Sequence, residues 1–150
     1  MAHTYTQILI HAIFSTKQRE PHLSQEIKAE LFPYLAGSLQ RMKARAVIVN
    51  GPRDHVHILF SLPPALSLSD AMEKLKANSS KWLHQRWPRR QAFAWQTGYA
   101  AFSVSPSNLA SVRNYIARQE ERHRKMTYQE EVLALLQRHG IEYDPRFVFD

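Results

Sequence analysis

The run Asp54-His55-Val56-His57-Ile58-Leu59-Phe60-Ser61-Leu62 constrains the fold more than any other stretch of this chain. Successive side chains of a strand point to opposite faces. Val56, Ile58, Phe60 and Leu62 therefore form one apolar face, while His55 and His57 stand side by side on the other, about 6.5–7 Å apart. A strand of this kind must bury its apolar side against another layer. Just before it, Asn50-Gly51-Pro52-Arg53 is a turn signal, and Arg45 to Asn50 reads as a short strand built on Val47, Ile48 and Val49. The histidine strand is thus the second arm of a hairpin.

Residues 5–15 read as a first strand, with Ile8, Ile10, Ala12 and Phe14 on one face and Gln7, Leu9, His11 and Ile13 on the other. Residues 24–44 read as a helix opened by Ser24, with Ile27, Leu31, Leu35, Leu39 and Met42 on one stripe. Pro33 inside it predicts a kink or a displaced start. Pro63-Pro64 ends the histidine strand, and Ser67-Leu68-Ser69-Asp70 has the form of a capping box. The helix behind it carries Leu68, Ala71, Met72, Leu75, Ser79, Trp82 and Leu83 on one face and stops near Pro88.

Residues 93–105 contain short strand-like pieces around Trp95, Tyr99 and Phe102. Ser105-Pro106-Ser107-Asn108 caps a helix running to about Lys125, and Thr127 begins another to His139, closed by Gly140. The last ten residues read as a tail suited to packing on a partner. The order β-α-β-β-α-β followed by C-terminal helices implies an α+β chain, a single domain over residues 1–150. Its expected form is a ferredoxin-like antiparallel sheet with helices on one face plus C-terminal helices. First and third strands are central neighbours in that topology, so His11 can approach the histidine pair on the open face.

Charge points to the partner. A formal net charge of +7 favours a polyanion, and nucleic acid is the commonest soluble one, although charge alone fits a basic protein that binds none about as well. The chain has no cysteine, which removes disulfides, thiolate metal sites and thiol nucleophiles. It enters its first strand pattern without a leader-like segment and holds no apolar run near the ~18–20 residues that span a bilayer. The expectation is a soluble, cytoplasmic protein with no membrane partner.

Two imidazoles at this spacing can chelate one cation and leave most of its coordination sphere open, though alternate strand histidines are more often solvated or hydrogen-bonded. Asp54 can orient one ring, or belong simply to the turn. Tyr115 and Gln119, four apart in a helix-like segment, share a face. Gln119 offers a neutral oxygen, and a mixed nitrogen and oxygen set suits Mg²⁺ or Mn²⁺ better than a closed structural zinc. Tyrosine, with a pKa of about 10, is a poor nucleophile unless the phosphodiester is made more receptive and the leaving oxygen stabilised. Six tyrosines compete for the role; Gln119 one turn on and Arg113, Arg118 and Arg122 nearby favour Tyr115.

Lys74 and Lys81, a heptad apart on the second helix, and Lys17 and Arg19 after the first strand are candidate contacts to a nucleic-acid backbone. A solvated helix face explains the lysines equally well. Trp82, Trp87 and Trp95 are able to stack on bases, but Trp82 lies on the apolar stripe.

Taken in order, Thr4-Tyr5-Thr6, His11-Ala12-Ile13-Phe14-Ser15-Thr16-Lys17, Asp54-His55-Val56-His57, Lys76-Ala77-Asn78, Trp95-Gln96-Thr97-Gly98-Tyr99 and Tyr115-Ile116-Ala117-Arg118-Gln119 form a pattern. It resembles the small single-domain HUH transposases of the insertion sequence 200/605 group and their REP-associated tyrosine transposase relatives. The resemblance covers nearly the whole chain. It implies metal-dependent cleavage of single-stranded DNA beside a hairpin, a 5′-phosphotyrosine intermediate on Tyr115, and rejoining through a 3′-OH. It also implies a metal held by His55, His57 and Gln119, and a homodimer. His123, one turn beyond Gln119, competes with it as a ligand. A non-catalytic nucleic-acid-binding module of the same fold and a hydrolase using water remain the alternatives.

Overall fold

The hairpin forms where the turn signal places it. In the computed structural model, which describes residues 3–119 and 126–149, β2 (Arg45–Asn50) and β3 (His55–Ser61) pair antiparallel. A Cβ on Gly51 would run into the carbonyl oxygen of His55, so only glycine fits this tight return. β1 (Leu9–Ser15) pairs antiparallel with β3, and β4 (Ala100–Val104) with the other edge of β1. The strand order β2-β3-β1-β4 makes the first and third strands central neighbours, as the ferredoxin-like reading requires.

β1 begins later than its alternation implies, and Ile8 is exposed. Its partner strand ends at Ser61 just ahead of Pro63-Pro64, which have no N–H to extend the ladder. α1 (Gln25–Arg41) starts on the Ser24 cap and runs unbroken through Pro33. Pro33 and Ala29, whose carbonyl loses its usual partner, both lie on the exposed side, where water can replace the missing bond. α2 (Leu68–Arg86) is capped by Ser67, whose Oγ accepts from the Asp70 N–H.

Ile10, Ala12, Phe14, Val56, Ile58 and Phe60 from the sheet meet the stripes of α1 and α2 in the main core. Residues 93–98 are a loop rather than a strand. A single bridge joins Trp95 to Thr16, and Trp95 is buried against Phe14 with its Nε1 donating to Ser79 Oγ at 2.9 Å. Trp82 stacks on Tyr34, ring centroids 4.4 Å apart. Packing of this kind commits Trp82 and Trp95 to the protein itself rather than to bases.

The second face of the sheet is not open. It presents Ile13 and Phe102 beside the histidines, and these apolar groups need cover. α4 (Tyr128–Arg138), which starts on a Thr127–Glu130 capping box and ends at His139 before Gly140 in the left-handed region, supplies Tyr128, Val132, Leu135 and Leu136. Tyr143, Val148 and Phe149 of the tail pack on the same cluster, so this segment serves its own chain. α3 (Leu109–Ala117) follows a short 3₁₀ turn and breaks at Arg118; the rest of the expected helix, to about Lys125, lies largely outside the described residues. Arg118 leaves helical geometry, and the Asn50 side chain at the end of β2 donates to the Ile116 carbonyl at 2.9 Å. No helix among the described residues is long and apolar enough to cross a membrane.

Candidate active site

β3 carries His55 and His57 onto the face covered by α4, where both are fully buried. Opposite them α4 places Glu131, buried to 1% exposure. Its Oε1 lies 3.2 Å from His55 Nε2 and 3.0 Å from His57 Nε2. An ionised carboxylate only accepts, so both Nε2 atoms donate to it. The same three side chains are a possible metal site, with ligand atoms all within 4.8 Å of one another. Adjacent donors about 2.1 Å from an octahedral cation stand about 3.0 Å apart, which matches these separations.

Each histidine is held from behind. Asp54 Oδ1 lies 2.8 Å from His55 Nδ1, so Asp54 orients that ring as well as belonging to the turn. His11 on β1 reaches the pair as its register predicts, its Nε2 2.8 Å from His57 Nδ1. Burial disfavours the charged form of His55, but the hydrogen bonds to Asp54 and Glu131 outweigh it and leave the pKa raised. His11 goes the other way, lowered to about 3 by burial and then by His57.

The second oxygen of Glu131 turns to the candidate nucleophile. Tyr115 on α3 donates its hydroxyl to Glu131 Oε2, and its ring lies against those of His57 and His11. Gln119 falls just past the end of α3, so it does not share one unbroken helical face with Tyr115. Its side chain nevertheless turns inward and is fully buried, with Nε2 donating to Glu131 Oε2 at 3.3 Å. Gln119 Oε1 is buried with no hydrogen-bond partner among the described residues. Such an orphaned oxygen costs free energy unless something electropositive meets it, which fits a cation beside the two histidines. The donor set of two imidazoles, one carboxylate and one amide oxygen fits a catalytic divalent ion.

Glu131 is the residue that sequence reasoning missed. Its signal was available: it sits on the α4 stripe between Tyr128 and Val132 on one side and Leu135 on the other, a charge where only apolar groups belong. His123 and Arg122 lie outside the described residues. Lys17 and Arg19 line a groove with Gln96, Thr97 and Arg146. Lys74 and Lys81 are exposed on α2, in the layer over the other face of the sheet, and are not brought to the histidines. Arg113 and Arg118 are exposed on and just after α3. A cavity of 380 Å³ opens beside Tyr115, lined also by His11, Phe102, Ser111 and Arg138.

Known proteins resemble this chain in sequence, and solved structures resemble it in fold. The transposase of insertion sequence element IS200 from Salmonella typhimurium is 28% identical over 126 residues, spanning 81% of this chain and 82% of its own. The ISDra2 transposase TnpA of Deinococcus radiodurans is 24% identical over 121 residues, spanning 77% and 86%. Among solved structures, a Deinococcus radiodurans protein assigned as a transposase superposes with a TM-score of 0.65 at 23% identity, covering 79% of this chain and 96% of that one. A REP-associated tyrosine transposase bound to a REP hairpin gives 0.54 at 11% identity, covering 79% and 68%. The family described as "Transposase IS200 like" matches residues 4–119, from just ahead of β1 through Gln119, and the chain belongs to that family.

Proposed function

We propose that this transposase cleaves and rejoins single-stranded DNA through Tyr115. The observation that carries the reading is the Glu131 carboxylate, which faces both histidine Nε2 atoms with one oxygen and the Tyr115 hydroxyl with the other. His55, His57, Glu131 and the Gln119 oxygen would hold a divalent cation, Mg²⁺ or Mn²⁺. Bound there, it would polarise the phosphodiester and stabilise the leaving oxygen.

Tyr115 Oη attacks the phosphorus, and the bond from phosphorus to the 3′ oxygen of the preceding nucleotide breaks. The phenolic proton passes toward Glu131 Oε2, its hydrogen-bond acceptor, and the departing 3′ oxygen takes a proton from solvent water to become a free 3′-OH. The product is a 5′-phosphotyrosine that keeps one phosphodiester linkage, so a 3′-OH can reverse the step without a nucleotide cofactor. The cavity beside Tyr115 is of a size to receive a nucleotide flanking the break. Lys17 and Arg19, in their groove, are suited to the DNA backbone; Lys74 and Lys81 would need DNA to pass around the molecule. Hairpin-bearing DNA as substrate draws support from the REP-associated relative. A homodimer belongs to the same proposal.

The test is incubation with Mn²⁺ and single-stranded oligonucleotides taken from the DNA flanking the gene. A covalent protein–DNA adduct is expected from the wild type and none from Tyr115→Phe, while His57→Ala binds DNA without reacting. Cleavage that survives Tyr115→Phe with no adduct would indicate attack by water instead. Metal-independent binding with no adduct on any oligonucleotide would indicate a binding module.

A further inference from the structure

We propose that His11 is a positioning residue of the metal centre: once a cation replaces the proton that His57 Nε2 gives to Glu131, His11 Nε2 accepts the Nδ1–H of His57 and holds that tautomer. The inference rests on the metal reading of His55, His57 and Glu131. It starts from an asymmetry between the two histidines. His55 has a carboxylate, Asp54, behind its Nδ1; His57 has another imidazole, His11, at 2.8 Å.

A histidine that binds metal through Nε2 carries its proton on Nδ1, and that proton needs an acceptor. An imidazole accepts only through an unprotonated nitrogen. His11 must therefore be neutral, with its own proton on Nδ1. Its surroundings enforce neutrality. It is 4% exposed, and the rings of Phe102 and Tyr115 lie 6.2 Å from it, centroid to centroid. A buried, unpaired imidazolium in this apolar setting would be costly, so the neutral ring is the one that fits.

The choice of a neutral acceptor also suits the charge of the site. Asp54 and Glu131 together offer two negative charges, which a divalent cation balances. A third carboxylate at position 11 would leave one buried charge unmatched.

The test compares Mn²⁺ binding by calorimetry in wild type, His11→Phe and His11→Gln, with thermal melts of the metal-free proteins as a check on folding. Phe keeps ring volume without an acceptor; Gln restores an acceptor oxygen. His11→Phe should bind Mn²⁺ roughly 10- to 100-fold more weakly, and His11→Gln should recover most of the loss. Equal affinity in His11→Phe, or no recovery in His11→Gln, overturns the role of His11 alone. A wild-type chain that binds no Mn²⁺ overturns the metal reading as well. Should the phenylalanine variant not fold, long-range ¹H–¹⁵N correlation on the wild type loaded with diamagnetic Zn²⁺ decides the matter. Protons on Nδ1 of both His57 and His11 are expected, and an Nε2–H on either ring rejects the proposal.

Discussion

Glu131 joins two sets of contacts in one carboxylate, to the histidines and to Tyr115, and the proposed chemistry depends on both oxygens. Glu131→Gln keeps the shape but removes the charge, and its amide can present an oxygen to the histidines or to Tyr115, not to both. The expected outcome is a folded protein whose Mn²⁺ affinity and adduct yield each fall roughly 10- to 100-fold, read by calorimetry and denaturing gels. Wild-type adduct yield from this variant would remove Glu131 from the mechanism. His55 and His57 were legible in the sequence because a strand has a period of two and its apolar half was unmistakable. Glu131 was harder to read, since its partners lie far back in the chain and nothing local joins them. Only its misplaced charge on an apolar stripe marked it.

At the scale of elements, the sheet order and the first two helices could be read from alternation and caps, but the end of α3 could not. The helical pattern runs through Arg118, yet the helix breaks there, where Asn50, distant in sequence, meets the carbonyls of Ile116 and Ala117. The covering of the histidine face was missed for a related reason: α4 was legible as a helix, while its partner surface was not. Asn50 thus sets the seat of the helix that carries Tyr115. Asn50→Ala should cost about 1 kcal/mol of stability by leaving those carbonyls without their donor. Its adduct yield should fall severalfold while Mn²⁺ affinity falls less, because three of the four ligands, His55, His57 and Glu131, sit on other elements and only Gln119 follows α3. A parallel loss of metal affinity would mean that α3 supports the whole site rather than the nucleophile alone.

For the molecule as a whole, the buried histidines make metal-free stability depend on pH in opposing directions. The unfolded chain protonates His11 below its ordinary value of 6.5, whereas the folded chain resists until about 3. Unfolded protein therefore binds more protons in that window, and stability falls as pH drops through it. His55, raised by Asp54 and Glu131 against the cost of burial, stabilises the fold below 6.5 and loses that contribution as pH rises through its folded pKa. Removing only the first of these isolates it. Between pH 7 and pH 4, His11→Phe should gain on the order of 3 kcal/mol relative to wild type in urea unfolding with chelator present. A gap that stays constant with pH would show that His11 titrates normally.

The remaining question at this scale is whether one chain completes the site. Tyr115 meets the Glu131 of its own chain, and Asn50 ties α3 to β2 of the same chain. A homodimer would accordingly contain two self-sufficient centres. Mixing Tyr115→Phe with His57→Ala tests this, because each lacks one half of the machinery and retains the other. With the nucleophile acting in its own chain, every centre in the mixture stays defective and no adduct forms. If the tyrosine were instead delivered by the partner, mixed dimers would pair the intact histidines of one subunit with the intact tyrosine of the other. About a quarter of wild-type adduct would then appear, since random pairing makes half the dimers mixed and each restores one of two centres. Adduct at that level would overturn the arrangement within one chain while leaving the chemistry of Tyr115 intact.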